Sequence, residues 1–382
     1  MSFNPNIKNS IFIFLPLIAH IHLLPCDNNP SIQHLSLDQK IGQLFMVSAV
    51  ADEQMAKDVV SAKSYKLDKD YITKLIQQHH IGGIIYLGKS DPAKQIIRTQ
   101  HYQKLTNIPL LVGQDLEPGR VGTSRLTFMQ VFPNNQTLGE INNTQKTYQT
   151  ALNIGQRCKQ LGVHINFAPV ADVNNNPNNP IINDRSFGDN PELVAIHSKA
   201  FAQGLHDANI IACAKHFPGH GDTTSDSHND LPHITHDKDR LDTVELYPFK
   251  ELIKDNIPAI MIGHLAIPAL ETQKNLPSSL SKNIVTELLQ KTLNFNGLII
   301  TDALDMGSIT KQFTDGQAEL NALLAGNDIL LCSTDVPRAI AVIKNAIEKK
   351  LIDEQEIDAH VQKILNIKKE YNVLDTNMIY QL

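Results

Sequence analysis

Tryptophan is absent from this 382-residue chain, and its four cysteines, Cys26, Cys158, Cys213 and Cys332, stand far apart with no CxxC pair. The first absence removes the indole platform on which long polysaccharides stack, and favours a small ligand gripped by polar groups. The second excludes a disulfide framework and a cysteine-built structural zinc site. With a net charge of −6 and no dense run of Lys or Arg, the chain lacks the basic stripe that phosphate backbones require, and nucleic acid is not an expected partner. No G-x-G-x-x-G follows the first apolar run, which speaks against a dinucleotide site in an open doubly wound sheet. No Gly/Ser or Pro linker divides the chain, so one folded domain over residues 35–372 is expected. The longest apolar run, residues 11–25, is shorter than a membrane span of about 20 residues. Followed by Cys26 and a polar DNNPS stretch, it reads as an export signal over residues 1–26 with Cys26 as a candidate lipid attachment point. An exported protein, periplasmic or anchored to a membrane through that lipid, is therefore expected. A cytoplasmic protein whose N-terminal segment packs on the fold is the alternative.

What is present is a rhythm. After Leu35, short apolar and β-branched runs alternate with longer stretches of helical periodicity. Strands are predicted at residues 41–49, 81–87, 109–115, 164–172, 210–216, 259–265, 297–302 and 327–333. Amphipathic segments at 146–161, 191–206, 281–293 and 336–349 have the length of crossover helices. Near-continuous apolar strands separated by helices mean a parallel sheet covered on its outer face, and eight such units predict an α/β fold, a single-domain (β/α)8 TIM-type barrel.

A barrel of this kind places its chemistry where the strands end, because there the βα loops converge. The predicted strand ends carry Asp115, Asp172, the Lys215–His216 pair, His264 and Asp302. Ionisable groups that close apolar runs are costly to bury unless they are paired or used. Residues 214–236, AKHFPGHGDTTSDSHNDLPHITH, crowd five histidines into one loop. Two chemistries compete for it. A metal site is conceivable from imidazoles and carboxylates at these spacings, but metal-dependent barrel hydrolases begin with an HxH pair at the end of strand one, and residues 41–49 contain no histidine. Acid/base chemistry by a histidine oriented by a carboxylate is the other, with Asp226 and His228 two residues apart. No metal and no cofactor are expected to take part.

Taken together, the motifs resemble the glycoside hydrolase family 3 β-N-acetylglucosaminidases, which trim N-acetylglucosamine in peptidoglycan recycling. The segment KHFPGHGDTTSDSH, 215–228, is similar to the long signature of that subfamily. FAPVADVNNNPNNPIINDRSFG, 167–188, resembles the segment that presents an arginine to the sugar, and LIITDALDM, 298–306, resembles the strand ending in the catalytic aspartate. The likeness spans residues 35–351. It implies that Asp302 is the nucleophile of a retaining exo-β-N-acetylglucosaminidase that forms a covalent glycosyl-enzyme, and that His228 is the general acid/base with Asp226 fixing its tautomer. It further implies that Asp115, Arg185, Lys215 and His216 hold the sugar hydroxyls, with His264 on the same floor. Arg125 is a further carried-over contact, although QDLEPGRVGTSR departs from the family's DxEGGRVxR: Pro118 replaces a common Gly and the arginine spacing is longer, which leaves Arg120 or Arg125 open. His220 and Asp222 are expected to shape the loop.

The implied substrate is a GlcNAc-containing glycan, such as a muropeptide, cut at its terminal non-reducing β-linked residue. Because a neutral imidazole does not repel an anion as a glutamate would, water and phosphate both remain open as acceptors. The rivals are a β-glucosidase of the same family, a metal-dependent barrel amidohydrolase, and a sugar-binding protein that kept the barrel without its chemistry. The chain ends soon after the eighth helix, around Lys369, which predicts a single-domain form of the family.

Overall fold

The computed structural model describes residues 32–62, 67–119 and 131–374. The predicted export segment 1–26, Cys26, Arg120 and Arg125 lie outside the described residues.

Eight parallel strands form the core: β1 Phe45–Ala49, β2 Gly83–Tyr86, β3 Leu111–Gln114, β4 Ile165–Asn166, β5 Ile211–Phe217, β6 Ala259–Ile262, β7 Leu298–Thr301 and β8 Leu330–Leu331. Each strand pairs with the next in sequence, and β1 also pairs with β8 through Phe45↔Leu330 and Met46↔Leu331. A parallel bridge between Ile300 and Ile329, with the Thr301 amide donating to the Ile329 carbonyl at 3.0 Å, joins β7 to β8 and closes the ring. The fold is the predicted (β/α)8 barrel. Every strand residue is buried, which is why these segments read as unbroken apolar runs rather than as alternating ones.

The crossover helices follow the predicted periodicity. Helix Thr144–Gln160 buries Thr147, Ala151, Ile154 and Cys158, one stripe at spacings of three and four, and its first turn is capped by the Asn143 side chain accepting from the Lys146 amide. Helix Pro191–Asp207 has the Asn190 side chain as cap and proline at its first position, where a missing N–H costs nothing. The predicted helix at 281–293 is a π-helix over Asn283–Thr292.

Three strand boundaries differ from the sequence-based expectation. Residues 41–43 end a helix, Leu37–Gln43, because Ser36 and Gln39 form a reciprocal capping box that starts it. In β4 the ladder stops at Asn166, whose carboxamide takes over the pairing: its Oδ1 accepts from the Leu116 amide at 2.9 Å and its Nδ2 donates to the Leu116 carbonyl. Beyond it the regular ladder gives way to single backbone bonds and the Val170↔Lys215 bridge, which lead toward Asp172. In β8 the chain leaves extended geometry at Cys332, which has a φ of 57°.

Candidate active site

The described strand ends meet around a cavity of about 550 Å³ lined by Asp115, Arg185, Lys215, His216, His228 and Asp302, among others. A slightly larger cavity, about 610 Å³, opens at the opposite end beside Pro258 and Leu298, where β6 and β7 begin. That end carries none of the predicted strand-end residues.

The floor is a buried ion network. Lys215 projects from β5 and donates to Asp115 Oδ1 at 2.6 Å and lies 2.7 Å from Glu117 Oε1. Arg185, in the 3₁₀ turn Asn183–Arg185 after β4, grips Glu117 with both arms of its fork: Nε donates to Oε2 at 2.9 Å and Nη2 to Oε1 at 2.8 Å. Two cations thus face two carboxylates, and the charges balance inside a region where an unpaired ion would be prohibitive. Burial pushes the Glu117 pKa up, but Arg185 and Lys215 outweigh it and hold the carboxyl well below the usual range. Against the same burial, Asp115 and Glu117 keep Lys215 protonated, and Glu117 does so for Arg185.

Glu117 escaped the sequence reading. It lies two residues beyond Asp115 in the QDLEPGR segment, and that acidic pair past an apolar strand was its signal.

Beside this network, His216 leans on Asp172. Its Nδ1 is 2.7 Å from Asp172 Oδ2, while the backbone amides of His216 and His220 both donate to Oδ1, at 3.1 and 2.7 Å. Asp172 is fully buried and, among the described residues, its carboxylate meets the site through His216 and His220. The Lys215–His216 and Phe217–Pro218 peptides are cis.

Asp302, one residue past β7, borders the cavity, and its Oδ1 accepts from the Ala303 amide at 2.8 Å. Burial raises its pKa, but His216, His264, that amide and His228 together prevail and hold it at about 2. The group is an anion across the whole neutral range.

The structure gives His264 a different place from the one the resemblance implied. It is fully buried, with Nδ1 at 2.7 Å from Ser279 Oγ and Nε2 at 3.0 Å from the Ala303 carbonyl, and it is not among the residues lining the cavity. With both nitrogens engaged by protein atoms, it braces the segment carrying Asp302 from behind.

Over the cavity stands the loop that follows β5. The His228 Nδ1 is 2.8 Å from Asp226 Oδ1, which also accepts the His228 amide at 2.8 Å. This leaves Nε2 as the nitrogen that can exchange protons with a ligand. His228 is 64% exposed and Asp226 27%. The loop is tied at several points. His220 Nε2 lies 3.1 Å from Ser227 Oγ, and burial drops the His220 pKa to about 4, so it is neutral. Gly221 packs so closely that a Cβ would sit 1.8 Å from the Val173 carbonyl. The Gly307 amide donates to the His228 carbonyl at 3.0 Å, and a Cβ on Gly307 would fall 2.7 Å from that oxygen. The loop bearing His228 therefore docks on the segment just past Asp302. His220 acts as an internal brace, as the sequence reading expected.

The fold and site together define a barrel with a polar pocket at the C-terminal ends of its strands, holding an ionised carboxylate and a carboxylate-backed histidine. The family model "Glycosyl hydrolase family 3 N terminal domain" matches residues 36–367. The chain is 34% identical over 326 residues to "Beta-hexosaminidase A" of Pseudoalteromonas piscicida, covering 78% of this chain and 54% of that protein. It is 33% identical over 304 residues to "Beta-hexosaminidase LpqI" of Mycobacterium tuberculosis, with 77% of each chain covered. Among solved structures, a glycoside hydrolase family 3 β-N-acetylglucosaminidase from a Paenibacillus species superposes with a TM-score of 0.81 at 37% identity, covering 89% of this chain and 63% of that one. The chain belongs to glycosyl hydrolase family 3. It spans about half the length of the first of these relatives.

Proposed function

We propose that the protein is a retaining exo-β-N-acetylglucosaminidase that removes terminal non-reducing β-linked GlcNAc, with peptidoglycan fragments as its natural glycans. The observation that carries the reading is a carboxylate held ionised beside a histidine–carboxylate pair at the mouth of one cavity. Relatives named β-hexosaminidase and β-N-acetylglucosaminidase support the sugar.

In the first step an Asp302 oxygen attacks the anomeric carbon while the bond to the leaving oxygen breaks and His228 Nε2 gives that oxygen its proton. Neutral His228 then takes a proton from a water that attacks the same carbon, and the Asp302 carboxylate departs. Asp226 on Nδ1 keeps the imidazole oriented through both transfers. Asp115, Arg185, Lys215 and His216 present hydrogen-bond donors and acceptors to the hydroxyls. A sugar that left them unpaired would be strongly rejected.

The apolar run 11–25 followed by Cys26 supports export, with lipid attachment as the anchor.

The test is nitrophenol release from the β-N-acetylglucosaminide and the β-glucoside, with protein dialysed against a chelator and with Asp302→Ala alongside. Turnover confined to the N-acetyl sugar and lost in the variant is expected. Preference for the glucoside would move the protein to the β-glucosidases, and inactivity of the folded protein on both sugars would leave it a binding module.

A further inference from the structure

The loop that carries the Asp226–His228 pair begins and ends at a second polar cluster, separate from the cavity. One ligand atom each from Asp222, His236 and Glu245 lie within 4.8 Å of one another. Asp222 and His236 stand fourteen positions apart, on either side of the pair, and their side chains are in direct contact through Oδ2 and Nε2. Glu245 comes from the stretch between helices Lys238–Thr243 and Tyr247–Lys254. It is 2% exposed, and its Oε2 has no hydrogen-bond partner among the described residues. A buried carboxylate oxygen left without a donor costs free energy that an ion beside it would return. Its other oxygen accepts from Arg240 Nη2 at 3.2 Å, which orients the carboxylate.

We infer that Asp222, His236 and Glu245 form a binding site for a divalent first-row transition ion, Zn²⁺ foremost, which clamps the base of the catalytic loop. One imidazole and two carboxylates are a donor set such ions accept, with a water completing a tetrahedron. None of the three residues lines the cavity, so the ion is structural and stands outside the reaction. Its mechanical effect follows from position. The contact between Asp222 and His236 already brings the loop ends together, and a shared metal bond converts that contact into a fixed closure and restricts how far His228 can swing. Net charge favours the ion as well. Two carboxylates, Asp222 and Glu245, stand against the one guanidinium of Arg240, which favours a cation between them.

The experiment uses the full chain, stripped of metal with a chelator and titrated with ZnCl₂ by calorimetry, with Co²⁺ absorption in the visible as a report on coordination. Expected are one ion per chain, a Co²⁺ band of tetrahedral intensity, and a thermal midpoint raised by Zn²⁺. His236→Ala and Glu245→Gln should each weaken binding by about 100-fold or more, and His228→Ala should leave it unchanged. Glu245→Gln keeps the side-chain volume and serves if His236→Ala does not fold. Absence of wild-type binding at millimolar Zn²⁺ overturns the inference. So does binding that survives His236→Ala and Glu245→Gln but is lost in His228→Ala, since that places the ion on the catalytic pair. The glycosidase reading is untouched by either result, because it is tested on chelator-treated protein.

Discussion

The floor of the cavity and the loop above it are built on opposite physical terms. Lys215 is 3% exposed and Glu117 1%, and they are locked with Arg185 and Asp115 by charge-assisted bonds of 2.6–2.9 Å. His228, by contrast, is 64% exposed and touches one carboxylate two residues away. The floor joins residues 68 and 100 positions apart, which fixes the loops after β3 and β4 against strand β5. The loop's pairing is local and survives whatever the loop does as a whole. The division matches the tasks proposed for the two regions. Recognition of hydroxyls needs donors and acceptors that do not relax toward the wrong sugar, whereas a proton shuttle must reach the leaving oxygen and then water.

Asp302 belongs to the floor, and removing it should have the largest effect. Asp302→Ala is expected to lower turnover of the N-acetylglucosaminide by about 10⁴-fold or more, since no group remains to form the glycosyl-enzyme. Folding should persist, which circular dichroism of the variant will establish. Azide added to the variant should restore slow release of an inverted glycosyl azide. Near-normal turnover would transfer the nucleophile's role elsewhere.

Next comes a change that separates stability from chemistry. Glu117→Gln leaves Lys215 and Arg185 facing a neutral amide, and breaking a buried pair in this way costs about 3–5 kcal/mol. The sign with pH follows from the direction of the shift. Because the folded-state pKa of Glu117 is depressed, its contribution is present above the ordinary carboxylate pKa and fades as pH falls through the folded value. Urea unfolding at neutral pH should therefore show the full deficit, and unfolding in acid a smaller one. A deficit that is constant with pH would mean the carboxylate acts through packing rather than charge.

His228→Ala tests the exposed region in the opposite sense. Little stability should be lost, because the side chain is mostly in water. With a poor leaving group, turnover should drop by about 10²–10⁴-fold. With an activated phenol, which needs no proton, glycosylation should be nearly preserved. Equal losses on both substrates would remove the acid role and make His228 a binding group.

How much of this was visible in the chain before its structure depends on distance along it. The eight strands were legible because each is buried on both sides and so reads as an apolar run, and Asp302, Lys215 and His216 were legible because each ends one. The Asp226–His228 pair was legible because both members lie within three residues. The Glu117–Arg185–Lys215 lattice was not, because an ion pair 68 or 98 positions apart leaves no mark on one sequence; only Glu117's nearness to Asp115 hinted at it. His264 was misplaced for a related reason. The end of a strand tells which end of the barrel a side chain occupies, but not whether it turns to the cavity or, as here, back to Ser279 and the Ala303 carbonyl. The cap at Ser36 is written in the sequence as SLDQ, and the helix it starts takes the first three residues of the predicted strand.

The smallest expected effect is also the sharpest check on the contrast between floor and loop. With its pKa at about 2, Asp302 is ionised throughout the range in which the protein is handled. In His228→Ala the acid/base side chain of the loop is gone, and the pH dependence on an activated substrate reports Asp302. The kcat/KM of this variant on an activated N-acetylglucosaminide, whose departure needs no proton, should therefore show no acid limb down to about pH 4. A limb that persists in the variant near the ordinary carboxylate pKa would mean that the attacking group is not held down by His216, His264 and the Ala303 amide. The nucleophile would then have to be sought among carboxylates with freer access to water, and the floor would lose its claim to be the rigid half of the site.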